Sequence, residues 1–215
     1  MNKAVIFDLD GTLIDSLPDI FEHVNITLEK YGAPKKDKSL IRQYIGNGAR
    51  NLILRSFDHK IESERADEIL AFYNKSYTES GSPKTQLFSG IKEVLLELKK
   101  RGYKLGILTN KPQLTTDDVY KTYLSEIGFD AVVGYSAGRK IKPDPEALFD
   151  MLKGLDVSIE NAYFVGDGET DVEVAINAKV NGIAVLWGYR DKDQLLLAGA
   201  KAFADKPSDL LEFIK

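Results

Sequence analysis

Short apolar runs recur along the chain, and segments with apolar residues at helical spacing separate them. The runs occupy residues 3–9, 104–108, 131–133, 162–165, 183–187 and 201–204. The helical patterns occupy residues 91–100, 112–123, 145–152 and 169–179. This alternation is typical of a parallel sheet covered by helices on both faces, so we predict a doubly wound α/β domain. In such sheets, ligands bind beyond the carboxyl ends of the strands.

Residues 16–83 interrupt this alternation. Apolar residues such as Ile20 and Val24 repeat there at helical spacing, and the segment has no strand pattern. Proline and glycine punctuate both of its edges, which favours flexible connections. We therefore predict two domains, an α/β core formed by residues 1–15 and 84–215 and an all-helical cap formed by residues 16–83.

The composition narrows the function. The 215 residues include 29 lysines and arginines against 33 aspartates and glutamates, a formal net charge of −4. This balance gives no electrostatic footprint for nucleic acid or anionic membranes, so a phosphate-bearing ligand must be held locally. Cysteine is absent, which excludes thiolate nucleophiles and is consistent with a reducing compartment. No apolar run approaches the ~18 residues of a membrane span, and we expect a cytoplasmic protein that binds neither nucleic acid nor membranes.

Two aspartates close the first apolar run, within the sequence VIFDLDGTLIDS at residues 5–16. Side chains alternate along a strand, so Asp8 and Asp10 lie on the same side of the chain. An Asp-Gly turn explains Asp10 and Gly11, but it does not explain Asp8, which lies inside the apolar run. Two adjacent carboxylates repel each other unless a cation lies between them or one of them carries a proton. The pair therefore favours a catalytic or metal-binding role.

Further polar residues lie where a parallel sheet would bring them to the same edge. Thr109 and Asn110 follow the second run, Lys142 precedes a helical pattern, and Asp167 and Asp171 follow the fourth run. Each has an ordinary alternative explanation: the hydroxyl can cap a helix, the lysine can be a surface residue, and Asp171 can interact with a helix dipole. Together they place several oxygen ligands at one edge, and such ligands suit Mg²⁺.

The segments that carry these residues resemble a known family. In order, FDLDGTLIDS, LTN, KPDP and VGDGETD resemble the motifs of the haloacid dehalogenase superfamily of aspartate-nucleophile phosphotransferases. The motifs span nearly the whole chain, and residues 16–83 resemble the helical C1 cap of that family. At Gly168 many relatives have a small hydroxyl residue, and this difference predicts a looser loop before Asp171.

The resemblance implies a role for each of these residues. It implies that Asp8 attacks the phosphorus atom, that Asp10 is the general acid and base, and that Lys142 balances the charge of nucleophile and phosphate. The implied ligands of Mg²⁺ are Asp8, Asp10 through its backbone carbonyl, Asp167, and Asp171 directly or through water. The implied phosphate ligands are Thr109, Asn110 and Gly11.

The substrate is expected to be a small phosphorylated metabolite. The stretch YIGNGA at residues 44–49 is similar to that of bacterial phosphoglycolate phosphatases, so hydrolysis of 2-phosphoglycolate is the preferred expectation. Candidate substrate contacts in the cap are Asn47, Arg50 and Arg55, although an arginine on a helix face is also an ordinary solvated residue. Nucleotides, pyrophosphate and sugar phosphates are alternative substrates. Both a monomer and a homodimer are compatible with the sequence.

Three other functions fit the sequence less well than a phosphatase does. Sugar-phosphate mutases of the family have a cap histidine twelve residues after the nucleophile, where this chain has Ile20, and His23 lies almost a turn away. Family members that cleave carbon-halogen bonds lack the second aspartate, so Asp10 argues against that activity. A phosphorylated signalling domain is roughly half this size and has no cap.

Overall fold

The computed structural model describes residues 2–215 and contains a six-stranded parallel sheet. The strands of the described chain are β1 (Lys3–Phe7), β2 (Ile14–Asp15), β3 (Gln86–Leu87), β4 (Tyr103–Pro112), β5 (Ala131–Tyr135), β6 (Ala162–Gly166), β7 (Asn181–Val185) and β8 (Phe203–Ala204). The order in the main sheet is β5-β4-β1-β6-β7-β8. The predicted doubly wound α/β fold is therefore confirmed.

The main sheet is covered by helices on both faces. The helices are α1 (Leu17–Lys30), α2 (Lys38–Tyr44), α3 (Gly48–Ser56), α4 (Ser63–Ser80), α5 (Ile91–Lys100), α6 (Gln113–Val119), α7 (Glu146–Gly154), α8 (Glu169–Ala178), α9 (Lys192–Leu197) and α10 (Leu210–Phe213). Apolar residues of α5, α6 and α10 pack on one face, and those of α7 and α8 pack on the other. None of the helices in residues 2–215 combines the length and the apolarity that a bilayer span requires.

Strand β1 lies at the centre of the sheet because its side chains are apolar on both faces. Val5, Ile6 and Phe7 are completely buried, and β4 and β6 pair with β1 on either side. A continuous apolar strand of this kind suits a parallel sheet with two covered faces. This placement brings the carboxyl ends of the three central strands to the same edge.

Helices α1 to α4 pack around an apolar cluster of their own. This cluster includes Val24, Leu28, Ile41, Ile53 and Ile69, all of which are at most 1% exposed. The short strands β2 and β3 pair in antiparallel orientation where the chain enters and leaves this helical segment. The sequence did not predict these strands, because two residues are too short to show a period. The proposed domain boundaries at 15/16 and 83/84 lie at this pair of strands and stay a prediction.

The loop after β7 holds the helical segment against the α/β core through hydrogen bonds. The backbone N–H groups of Ser16 and Leu17 donate to the Tyr189 hydroxyl at 2.9 and 3.0 Å. Arg190 is 5% exposed and donates to the carbonyl oxygens of Arg42, Gln43 and Ile45 at 2.6–3.3 Å. These carbonyls belong to the C-terminal end of α2, where a helix leaves acceptors unsatisfied. Arg190 therefore holds the end of α2 against the core.

Candidate active site

The first strand places Asp8 at the carboxyl edge of the sheet. The Asp8 backbone N–H donates to the Val165 carbonyl at 2.9 Å, so the pairing with β6 continues through this residue. Two residues later, the Asp10 carboxylate accepts hydrogen bonds from Ser16 Oγ at 2.5 Å and Lys111 Nζ at 3.1 Å. The two neighbouring aspartates therefore have different partners, which is what different chemical roles require.

Three buried carboxylates meet at this edge. Oxygen atoms of Asp8, Asp167 and Asp171 lie within 4.8 Å of one another, and each residue is at most 7% exposed. Burial and neighbouring carboxylates raise the pKa of Asp8 to about 7 and that of Asp167 to about 8, against an ordinary value of 3.8. Grouped oxygen ligands of this kind fit Mg²⁺, and a bound cation would offset their repulsion. These three side chains would hold the metal, and the Asp10 backbone carbonyl as a further ligand stays a prediction.

The raised pKa values predict how pH affects stabilisation by Mg²⁺. Asp8 and Asp167 have higher pKa values in the folded protein than the ordinary 3.8, so the fold binds protons that the unfolded chain has released. The metal-free protein therefore becomes less stable as pH rises from about 4 to 8. Metal binding requires deprotonated ligands, so protons compete less with Mg²⁺ at high pH. Differential scanning fluorimetry should show a larger Mg²⁺-induced increase in Tm at pH 8 than at pH 6.

The matched control for this pH dependence is Asp167→Asn, which removes one ligand charge and should lose most of the Mg²⁺-induced increase at both pH values. A wild-type increase of equal size at pH 6 and pH 8 would contradict the assignment.

Lys142 bridges two of the carboxylates. Its Nζ lies 2.6 Å from Asp8 Oδ1 and 2.6 Å from Asp171 Oδ1, and the residue is 4% exposed. Burial alone would lower the pKa of Lys142, but Asp171 and Asp8 raise it above its ordinary value. The side chain therefore places a fixed positive charge beside the Asp8 carboxylate.

Neighbouring groups fix the orientation of the other two acids. The Asp167 carboxylate accepts hydrogen bonds from Thr12 Oγ1 at 3.1 Å and the Tyr189 N–H at 2.7 Å. The Asp171 carboxylate accepts the Gly168 N–H at 2.9 Å, which ties together the first turn of α8. The donor is a backbone amide, which any residue at position 168 would supply. The looser loop expected from Gly168 stays a prediction.

Thr109 and Asn110 lie on β4 itself, since this strand continues to Pro112 rather than ending at the predicted Leu108. The Thr109 hydroxyl accepts the Lys111 N–H at 3.3 Å. The Asn110 side-chain amide donates to the carbonyls of Gly46 and Lys142 at 3.0 and 3.1 Å, and its oxygen accepts the Lys142 N–H at 2.8 Å. Asn110 thus joins the Lys142 loop to the cap, and phosphate binding by this amide would require one of these bonds to open.

Gly11 allows the turn after Asp10 to approach Asp167. Its φ of +90° belongs to the region that favours glycine, and a Cβ atom at this position would overlap the Asp167 carboxylate. A side chain at position 11 would therefore displace the acidic cluster. Its expected contact with phosphate stays a prediction.

A cavity of about 60 Å³ lies between this edge and the cap, and Asp8, Asp10 and Thr109 form part of its wall. The cap residues that line it are mainly apolar or aromatic: Ile20, Ile45, Gly46, Gly48, Ala49, Leu52, Tyr73, Asn74 and Tyr77. The cavity is much smaller than the roughly 300–1,000 Å³ of pockets for drug-sized ligands.

The predicted cap contacts lie outside the lining of this cavity. Arg50 forms an ion pair with Asp67, and Arg55 donates to the Tyr44 carbonyl at 3.3 Å. Asn47 precedes α3 and lines neighbouring grooves. The structure thus brings the core residues of the prediction together but does not bring these three residues to the same cavity.

Lys111 and Tyr77 are site residues to which the sequence assigned no role, although the amine of Lys111 follows Thr109 and Asn110 directly. Lys111 Nζ lies 3.1 and 3.2 Å from the two oxygens of Asp10 and donates to the Tyr77 hydroxyl at 3.2 Å. Burial alone would lower the pKa of Lys111, but Asp10 and Tyr77 raise it above its ordinary value. The position of Lys111 directly after Thr109 and Asn110 indicates that it lies near the site. Its pairing with Asp10 could not be predicted, because it depends on β4 continuing to Pro112.

A parallel sheet with a helical insert after its first strand and an acidic cluster at its carboxyl edge is the architecture of a capped aspartate-based hydrolase. Residues 5–185 match the model of the family described as haloacid dehalogenase-like hydrolase. The chain belongs to this family, and the resemblance inferred from its motifs is confirmed.

Similar proteins cover nearly the whole length of the chain. The chain is 32% identical to a phosphoglycolate phosphatase of Vibrio cholerae, over 99% of this chain and 96% of the relative. It is 33% identical to phosphoglycolate phosphatase 1 of Pseudomonas aeruginosa, over 97% of this chain and 78% of the relative. The crystal structure of a predicted phosphoglycolate phosphatase from Haemophilus somnus superposes with a TM-score of 0.91 at 26% identity, covering 100% of this chain and 98% of that one. The expected enzyme class, phosphoric monoester hydrolase, is confirmed by the family and these relatives.

Proposed function

We propose that the protein is a Mg²⁺-dependent phosphatase that hydrolyses a small phosphomonoester, preferably 2-phosphoglycolate, through an aspartyl phosphate. The observation that carries the proposal is the cluster of Asp8, Asp167 and Asp171, with Lys142 bridging two of the three carboxylates. A bound Mg²⁺ ion would neutralise charge on the transferring phosphoryl group.

In the first step, an Asp8 oxygen forms a bond to phosphorus while the bond from phosphorus to the leaving oxygen breaks. A carboxylate that attacks a phosphate dianion meets like-charge repulsion, and the Lys142 ammonium group 2.6 Å from Asp8 reduces it. Asp10 in its protonated form donates a proton to the leaving oxygen.

In the second step, a water molecule attacks the phosphorus atom of the aspartyl phosphate, and the bond between phosphorus and Asp8 breaks. Asp10, now ionised, takes a proton from that water, so the enzyme returns to its starting state. The hydrogen bond from Ser16 and the ion pair with Lys111 hold the Asp10 carboxylate in place for both proton transfers.

The size of the cavity and the relatives support the choice of substrate. Its volume of about 60 Å³ suits a leaving group of a few atoms, and both curated relatives described above are named phosphoglycolate phosphatases. A larger groove of about 910 Å³ adjoins the cavity and shares Gly48, Ala49 and Asn110 with it. That groove is the observation that keeps a nucleotide as the second candidate substrate.

The mutase alternative receives no support from the cavity. Ile20 occupies the lining position at which the mutases of the family have a histidine. The Nδ1 atom of His23 lies 2.8 Å from Ser76 Oγ, and His23 is outside the cavity lining.

Phosphate release from a panel of small phosphorylated compounds tests the proposed function. The panel contains 2-phosphoglycolate, pyrophosphate, a sugar phosphate and a nucleoside monophosphate, each assayed with Mg²⁺ and with EDTA. We expect Mg²⁺-dependent release with 2-phosphoglycolate as the preferred substrate. A preference for the nucleotide would assign the leaving group to the larger groove, and the absence of release from every ester would overturn the proposal.

The cytoplasmic location and the choice between monomer and homodimer stay predictions. They affect neither the mechanism nor its test, because the cluster of Asp8, Asp167 and Asp171 and the Lys142 bridge come from a single chain.

A further inference from the structure

Lys111 is a buried cation on the Asp10 side of the site. It is 8% exposed, belongs to the cavity lining, and pairs with both oxygens of Asp10 at 3.1 and 3.2 Å. Its ammonium group has three N–H donors, and Asp10 and Tyr77 accept from it. This position contrasts with that of Lys142, which pairs with Asp8 and Asp171.

The charges around the cavity are distributed unevenly. Among the described residues of the lining, Lys111 is the only cationic side chain, and those of the cap are uncharged. Arg50 and Arg55, the cations that the sequence suggested for substrate binding, contact Asp67 and the Tyr44 carbonyl instead. An anionic group on the leaving side of a substrate therefore has Lys111 as its available counter-charge in this lining.

The proposed roles of Asp8 and Asp10 place the leaving group next to Lys111. The oxygen that Asp10 protonates must lie within hydrogen-bond distance of the Asp10 carboxylate, at about 2.6–3.2 Å. Lys111 Nζ lies 3.1 Å from that same carboxylate, so the leaving oxygen and the ammonium group both neighbour Asp10.

We propose that Lys111 determines the specificity of the site by binding a carboxylate carried next to the leaving oxygen. The substrate class is then the phosphate esters of small 2-hydroxy acids. This inference rests on the proposed function and refines it, since it assigns recognition of the leaving group to the core strand β4 rather than to cap arginines.

Tyr77 orients the lysine for this contact. Its hydroxyl accepts from Lys111 Nζ at 3.2 Å, and Nζ lies 4.5 Å from the centre of its ring. Because Tyr77 belongs to α4 and Lys111 to β4, this contact joins the cap to the recognition site. Loss of the hydroxyl should weaken recognition without removing the charge.

The test compares two substrates of matched shape, 2-phosphoglycolate and its uncharged amide, 2-phosphoglycolamide. The quantity measured is the ratio of their kcat/KM values, because loss of Asp10 positioning lowers both values and cancels in the ratio. Wild-type enzyme should prefer the carboxylate, and Lys111→Met should reduce the ratio by about 10- to 100-fold, the effect of one charge-assisted hydrogen bond. Lys111→Arg should keep part of the preference, and Tyr77→Phe should reduce it less than Lys111→Met.

The matched control is Lys92→Met, a substitution of a half-exposed lysine that pairs with Glu126 away from the cavity. This variant should leave the ratio unchanged. An equal loss for both substrates in Lys111→Met would overturn the proposal, as would a wild-type enzyme without preference for the carboxylate. If Lys111→Met does not fold, the other two variants decide the test. The proposal is overturned if Tyr77→Phe leaves the ratio unchanged and Lys111→Arg abolishes the preference for the carboxylate. Failure of the proposed function is distinguishable, because the wild-type enzyme would then hydrolyse neither ester.

Discussion

Replacement of Asp8 by asparagine is expected to reduce Mg²⁺-dependent phosphate release to background, a loss of roughly 10⁴-fold or more. The amide lacks the anionic oxygen that attacks phosphorus, and it removes one of the three charges that would hold the metal. The side chains keep nearly the same shape, so the fold should persist. Phosphate release by the variant, measured with saturating 2-phosphoglycolate and Mg²⁺, checks this expectation.

The control for Asp8→Asn is the same substitution at Asp150, an exposed acid on α7. Asp150→Asn should retain wild-type activity, and circular dichroism should show that both variants are folded. Substantial Mg²⁺-dependent activity in folded Asp8→Asn would remove Asp8 from the role of nucleophile.

Asp10→Asn is expected to slow turnover of 2-phosphoglycolate by about 10²- to 10⁴-fold, the usual contribution of a positioned acid-base group. Asparagine can still accept from Ser16 and Lys111 through its carbonyl oxygen, but it cannot donate the proton that the leaving alkoxide needs. The kcat for 2-phosphoglycolate measures this loss. Pre-steady-state cleavage of 2-phosphoglycolate beside 4-nitrophenyl phosphate, whose leaving group departs without a proton, isolates the first chemical step.

The loss should be smaller with the nitrophenyl ester in the first chemical step, since that step no longer depends on the acid. Wild-type turnover of 2-phosphoglycolate by Asp10→Asn would contradict the assignment. Equal losses of pre-steady-state cleavage for the two esters would also contradict a role in protonating the leaving group.

The main sheet and the acidic residues follow from local pattern. The apolar run before Asp8 indicates a buried central strand, and parallel strands bring their carboxyl ends to the same edge. The cluster of Asp8, Asp167 and Asp171 is therefore a consequence of topology, and its members lie immediately after strands or in the first turn of a helix. Short-range signals such as these are visible in a single sequence.

Other parts of the site depend on contacts between distant segments, which a single sequence does not display. The β2–β3 pair joins residues about 70 positions apart and has only two residues in each strand. The ion pair of Lys111 with Asp10 joins residues separated by 101 positions, and it depends on β4 continuing four residues beyond the predicted end. Arg190 likewise reaches the end of α2 from a loop more than 140 residues away.

The cap arginines illustrate the same difference. Helical spacing places Arg50 and Arg55 on α3, but it does not say which face of α3 is directed toward the cavity. In the structure, Gly48, Ala49 and Leu52 line the cavity, while the arginines contact Asp67 and the Tyr44 carbonyl. Packing of the whole helical segment decides this orientation.

Chemical trapping of the phosphorylated enzyme identifies the nucleophile directly. Wild-type protein is mixed with 2-phosphoglycolate and Mg²⁺, quenched in acid within the first turnover, reduced with borohydride and sequenced by mass spectrometry. An aspartyl phosphate is reduced to homoserine, so we expect homoserine at position 8 and an unchanged residue 8 when EDTA replaces Mg²⁺. Homoserine at another aspartate, with position 8 intact, would show that Asp8 is not the nucleophile.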